Sequence, residues 1–157
     1  CPQIKMELHL VGAEYDAAPE IAREVRTVTE RNSAVIWHEC VGADELRKWY
    51  QACDFTVFGS WIEGFGLPVV ESLWFGKPCL CSNRSVMAEN AADGGCLTVD
   101  TQDVAALAEG MIQLASQSEL RQRLGEQARK RELKSWKTYA GEILEILSAN
   151  ATADRSR

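Results

Sequence analysis

From Gln51 to Gly76 the sequence contains no lysine or arginine. Positive charge is scarce elsewhere too, with 17 Lys and Arg against 23 Asp and Glu and a net charge of -6. That balance argues against a nucleic-acid surface, which needs clustered cations with interleaved aromatics. The one locally basic stretch, Arg121 to Lys137, has helical spacing and reads as a solvated face. Long apolar runs are missing, so no membrane-spanning helix is predicted. No leader pattern opens the sequence. The six cysteines, at 1, 40, 53, 79, 81 and 96, never form a C-x-x-C pair. Most of them read as small buried hydrophobes of a reduced, cytoplasmic protein rather than as a disulfide framework. His38-Glu39-Cys40 lacks a second ligand cluster; it reads as a strand end, and no metal site is expected. After the first apolar run, Gly12-Ala-Glu14 does not continue into a G-x-G-x-x-G fingerprint.

What is present alternates between two periodicities. Met6–Val11, Ala34–His38, Phe55–Phe58, Pro78–Ser82 and Cys96–Val99 read as strands. Between and after them lie helical patterns. Pro19 to about Arg31 carries Ile21, Val25 and Val28 on one side, and a helix capped by Asp44 carries Leu46, Trp49 and Tyr50. Another, capped by Asp100 or Thr101, carries Val104, Leu107, Ala108 and Met111. Ser118–Arg131 is a further helix, and Trp136, Tyr139, Ile143 and Leu147 recur at helical spacing in a last one. Trp136 and Tyr139 are read either as core contacts or as part of an interface. The alternation predicts an α/β domain, a doubly wound parallel sheet over residues 1–148, followed by a frayed polar tail over 149–157.

The densest chemistry lies between Phe58 and Gly76. Phe55-Thr-Val-Phe58 leads into Glu63-Gly-Phe-Gly-Leu-Pro-Val-Val-Glu71. Gly64 and Gly66 permit backbone geometry and close approach closed to other residues. Pro68 suits a first helical turn, and Gly76-Lys-Pro78 ends the helix. Strand, glycine turn and helix together form a cradle for phosphate. Glu63 in the turn and Glu71 one turn into the helix are expected to face one crevice at the carboxyl end of the sheet. Trp61, beside Glu63, reads equally as a lid or as a packed loop anchor.

Glu63 and Glu71, with seven residues between them and Gly-Phe-Gly-Leu-Pro inside, resemble the E-x7-E signature of retaining glycosyltransferases of the GT-B fold, family 4. Ala52-Cys-Asp54, Ser60, Gly76-Lys-Pro78, Ser82, Met87-Ala-Glu89 and Gly95–Asp100 extend the resemblance over about Leu8 to Ile112. Gly59-Ser60 departs from the family's usual Pro-Ser. The resemblance implies the C-terminal, sugar-nucleotide-binding half of a GT-B fold, lacking its first strand and helix and the basic residues they carry. It implies Glu63 as the catalytic-site carboxylate at the transferred sugar. Gly64, Phe65, Gly66 and Leu67 would bind the donor, with Glu71 on the ribose hydroxyls. The implied reaction moves a hexose from a nucleotide diphosphate sugar, with GDP-mannose as the guess, to a glycan or lipid-linked acceptor. No cofactor is implied. The partners implied are an N-terminal acceptor-binding domain and, for the full enzyme, the inner face of a membrane. The chain alone is expected to be inactive. A family sheet order of 3-2-1-4-5-6 predicts that Met6–Val11 and Phe55–Phe58 are not direct neighbours. The alternatives are another nucleotide-binding α/β module and a non-catalytic interaction domain derived from a transferase.

Overall fold

A computed structural model of the protein describes residues 5–14 and 16–154. Cys1 and the last three residues of the expected polar tail lie outside the described residues. The five strands all form where their patterns place them: β1 (Leu8–Val11), β2 (Val35–His38), β3 (Thr56–Phe58), β4 (Cys79–Ser82) and β5 (Cys96–Val99). Every pairing is parallel. β1 pairs with β2, and β3, β4 and β5 form a second sheet in that order. β1 and β3 do not pair, as the sheet order required.

The core is built around β4, whose four residues are all buried. Side chains alternate across a strand, so Cys79 and Cys81 enter one cluster with Val69, Leu73, Met87 and Ala128. Leu80 enters the other, with Leu114 and Leu124. The first cluster is supplied by α3 (Leu67–Trp74), α4 (Ser85–Ala91) and α6 (Ser118–Arg129). The second is supplied by α5 (Val104–Ser116) and α6. Helices therefore cover both faces, the doubly wound arrangement. The Cys79 thiol is held well above its ordinary pKa by the Cys81 and Cys96 sulfurs and by burial, so it is a packing group. Ser72 is the buried polar exception in α3, and it is satisfied. Thr56 Oγ1 donates to its Oγ at 2.7 Å, and Ser72 Oγ donates to the Lys77 carbonyl at 3.1 Å. That relay pins α3 to β3 and to the turn before β4.

The remaining helices are α1 (Pro19–Arg31), α2 (Ala43–Ala52) and α7 (Trp136–Asp154). Several expectations are corrected. α1 turns Ala22 inward with Val25, while Ile21 and Val28 are exposed. Asp44 does not cap α2; Gly42 does, and Asp44 sits in the first turn, where a carboxylate favours the helix dipole. α5 is capped by Asp103, whose Oδ1 accepts from Ala105 and Ala106 N–H. Asp100 is otherwise engaged, by Gln102 N–H and by Arg84. Val104 is 80% exposed and Ala108 is exposed too; α5 meets the sheet through Leu107, Gly110, Met111 and Leu114. α4 has no clear signal in the sequence, since its run of small and polar residues carries no marked apolar period. α7 includes Ala149, where the tail was expected to begin. Trp136 is 79% exposed and Tyr139 51%, so the core-contact reading of these aromatics fails. They meet each other edge to face at 6.2 Å.

Two glycines mark the extremes of packing. Gly95 has φ +89°, and a Cβ there would strike Leu73 and come within 3.2 Å of Ala128 Cα. Gly141, inside α7, has nothing within 4 Å of that position. Gly95→Ala should destabilise the protein by about 1–3 kcal/mol through strain and overpacking. Gly141→Ala should stabilise it by about 0.4–1 kcal/mol. Urea unfolding of both variants checks the pair; equal effects of one sign would contradict the packing described.

Candidate functional site

β3 ends at Phe58, and the chain crosses an irregular loop before α3 begins at Leu67. Gly66 caps that helix in the left-handed region, φ 72° and ψ 44°, which only glycine adopts without strain. It is buried, and a Cβ on it would lie 3.2 Å from Asn90 Nδ2 and 3.6 Å from Met87 Sδ. Both demands expected of a glycine here, geometry and close approach, are therefore real at Gly66. Gly64 meets neither: its φ is not in the left-handed region, and nothing lies within 4 Å of its would-be Cβ. The space before Gly64 is open.

Asn90 on α4 fixes the loop, donating from Nδ2 to the Phe65 carbonyl at 2.7 Å. Phe65 and Leu67 nonetheless expose their side chains, as do Trp61 and Ile62. Trp61, 52% exposed, is not a packed anchor. Among the described residues, the backbone amides of Gly64, Phe65, Gly66 and Leu67 donate no hydrogen bond. Val69 and Val70 N–H turn back to the Gly66 carbonyl. The unpartnered amides cluster at the positive end of the α3 dipole, an arrangement suited to anionic or hydroxyl oxygens. No lysine or arginine from 51 to 76 reinforces it.

Glu63 is exposed in this loop, and Glu71 is half-buried one turn into α3. Glu71 does not point freely outward. Tyr50 Oη donates to its Oε2 at 2.9 Å, across 21 residues of sequence. The Tyr50 ring lies parallel to Phe75, with 5.2 Å between centroids and 2° between planes. Burial first, and the Glu71 carboxylate second, push the Tyr50 phenol far above its ordinary pKa. Ser60, at the strand end, donates to the Ile62 carbonyl at 3.2 Å, and the Ser82 hydroxyl accepts from Arg84 N–H at 3.2 Å. Ser85, opening α4, is the one non-glycine residue with positive φ among the described residues, 57°. Cavities of about 390 and 520 Å³ lie elsewhere, against Asp93, Gln127 and Lys130 and against Ser116, Glu119 and Arg123. Neither is lined by Glu63 or Glu71.

Tyr50 and Asn90 are the residues that sequence reasoning missed. Tyr50 shares its apolar spacing with Leu46 and Trp49 and reads as core; no local signal marks a partner so far along the chain. His38, read as a strand end, does end β2, but its Nε2 lies 3.0 Å from His9 Nδ1. Trp49 packs on both imidazoles. Among the described residues, no group of three or more His, Cys, Asp or Glu is placed to hold a metal. Nor, among the described residues, is any helix long and apolar enough to cross a membrane.

The doubly wound parallel domain, with a glycine-capped helix after its third strand, has the fold of the C-terminal half of the GT-B architecture. In a sucrose-phosphate synthase from Thermosynechococcus elongatus the same fold recurs, with a TM-score of 0.80 at 24% identity over 94% of this chain and 39% of that one. The sequence matches the family described as glycosyl transferases group 1 over residues 3–131, and the chain belongs to that family. It is 34% identical over 89 residues to O-antigen chain mannosyltransferase B of Escherichia coli, covering 55% of this chain and 23% of that protein. It is 31% identical over 119 residues to D-inositol 3-phosphate glycosyltransferase of Streptomyces avermitilis, covering 74% of this chain and 26% of that protein. The chain thus spans about a quarter of the length of these curated relatives.

The Tyr50 phenol ties the site to alkaline stability. With its folded pKa raised, this contribution is complete below the unfolded tyrosine pKa of about 10. Above that pH the unfolded chain sheds the proton while the folded chain keeps it, so stability falls as pH rises. In Tyr50→Phe this component of the fall should vanish. Denaturant titrations between pH 9 and 11 check it; identical slopes in both proteins would contradict the buried hydrogen bond.

Proposed function

We propose that this domain binds the donor of a retaining hexosyltransferase. The observation that carries the proposal is the Gly66 cap. It gathers unpartnered amides at the start of α3, with Glu71 one turn behind them. The amides of Gly64 to Leu67 meet sugar and phosphate oxygens. Glu71 accepts from ribose hydroxyls, and a carboxylate is well suited to that role. Glu63 contacts hydroxyls of the transferred sugar. When the diphosphate departs, positive charge develops on the sugar ring, and a carboxylate and oriented dipoles nearby favour that state most. Family membership supports transferase chemistry, and the likeness to an O-antigen chain mannosyltransferase supports mannose over other hexoses; the donor in this reading is GDP-mannose. The acceptor is a glycan or lipid-linked saccharide, held by an N-terminal domain at the cytoplasmic face of a membrane.

The charge arithmetic sets a limit on what this chain does alone. A helix N-terminus offers about half a positive charge, well short of a nucleotide diphosphate, and Glu63 and Glu71 oppose it. The diphosphate therefore needs cations from beyond residues 51–76. The 157-residue chain should bind nucleotide weakly and transfer no sugar. Measured transfer from GDP-mannose by the isolated chain would refute this.

Glu71→Ala should weaken nucleoside diphosphate binding by about 1.5–3 kcal/mol, the worth of a charge-assisted hydrogen bond. Glu63→Ala, in a complete two-domain enzyme, should lower kcat more than it weakens nucleotide affinity. Calorimetry and steady-state kinetics test the two together. Equal losses of melting temperature without loss of binding would make both carboxylates structural.

A further inference from the structure

A glutamate on a half-exposed helix face ordinarily samples several rotamers, and a ligand that fixes it must overcome that freedom. Glu71 is fixed already. The Tyr50 hydroxyl lies 2.9 Å from Glu71 Oε2 and 3.5 Å from the Pro68 carbonyl. A phenol has one proton to donate, and the short, charge-assisted contact takes it. The ring carrying that hydroxyl is held flat against Phe75. One residue earlier, Trp49 packs on His9 and His38 at 4.2 and 4.8 Å between centroids. Consecutive aromatics of α2 thus grip opposite neighbours, and the helix cannot turn without breaking one contact or the other. Oε1 of Glu71 has no partner among the described residues.

We propose that Tyr50 is a positioning residue, which holds Glu71 by Oε2 and leaves Oε1 for a ribose hydroxyl of the bound nucleotide. This rests on the assignment of Glu71 to the nucleotide. It also sharpens that assignment. A carboxylate already accepting at one oxygen meets a diol chiefly through the other, so the pair recognises a hydroxyl in one place rather than a free-swinging diol. Tyr50 touches no ligand in this arrangement; it acts through Glu71. Its phenol stays a neutral donor across the working pH range because burial disfavours the phenolate.

The test is calorimetric titration of the protein with GDP, UDP and ADP, followed by the tightest binder and its 2′,3′-dideoxy analogue. Tyr50→Phe keeps the stacked ring and deletes only the hydroxyl. Its affinity for the ribose nucleotide should fall about three- to tenfold, the worth of one hydrogen bond. Affinity for the dideoxy analogue should not change. In a Glu71→Ala background the same substitution should have no further effect. Phe75→Leu loosens the ring without deleting the hydroxyl and should give a smaller loss with the same dependence on ribose. If Glu71→Ala weakens binding and Tyr50→Phe does not, the positioning role is overturned and the donor site stands. Equal losses for ribose and dideoxy ligands in either ring variant would also overturn it, since a structural lesion ignores the hydroxyls. No effect of Glu71→Ala, or no binding of any of the three nucleotides, would remove the donor site and the positioning role together.

Discussion

Burial of β4 on both faces is the constraint on which the rest of this structure depends. Its four residues alternate between two apolar clusters, so the strand cannot shift by one residue without exchanging Cys79 and Cys81 for Leu80. Its neighbours inherit that register. Thr56 aligns with Cys79 and Cys96 with the same residue from the other side. Once β3 is placed, its carboxyl end is placed, and with it the loop that carries Glu63. α3 then returns across the same face and delivers Val69 and Leu73 to the core. The site is therefore a by-product of packing that occurs behind it.

The turn illustrates how closely packing and chemistry are joined. Gly66 is required by its own backbone angles and by the approach of Asn90 and Met87. The same conformation that makes room for α4 also turns the neighbouring amides away from protein partners. Polar groups normally find such partners when buried; Gly64, Phe65 and Leu67 are exposed, so water or a ligand can take that role. Within residues 51 to 76, which hold no lysine or arginine, oriented dipoles are the source of positive potential.

Much of this was legible in the sequence, for identifiable reasons. Strand positions followed from apolar runs bounded by glycine, proline and asparagine. The strand–turn–helix segment followed from glycine and proline placed at fixed offsets. What escaped was long-range or rotational. Periodicity says that a helix has an apolar side but not which residues win when several compete. α1 buries Ala22 rather than Ile21, since a small residue admits closer packing on β2. Asp100, Thr101 and Asp103 are all chemically able to cap α5, and the choice is settled by Arg84 engaging Asp100. The link from Tyr50 to Glu71 joins residues in different helices, and nothing short of the fold brings them together. Gly64 shows the opposite error: a glycine credited with two structural duties performs neither within the chain. Family and fold were thus readable, while the internal support of the site was not.

The division of the strands into a pair and a triplet carries a consequence for how the molecule comes apart. The triplet holds both apolar clusters; the pair is covered chiefly by α1 and by the aromatic edge of α2. Few backbone hydrogen bonds cross between them, and the bridge is made of side chains: Tyr50 on Glu71, and Lys77 Nζ on the Cys53 carbonyl at 2.8 Å. Such a molecule has two cooperative units of unequal depth. Amides of β4 are therefore expected to exchange only when the larger unit opens, and those of β1 and β2 through a shallower, separate opening. α2 is the hinge between them, so any event that loosens the smaller unit is felt at Glu71 before it is felt in the core.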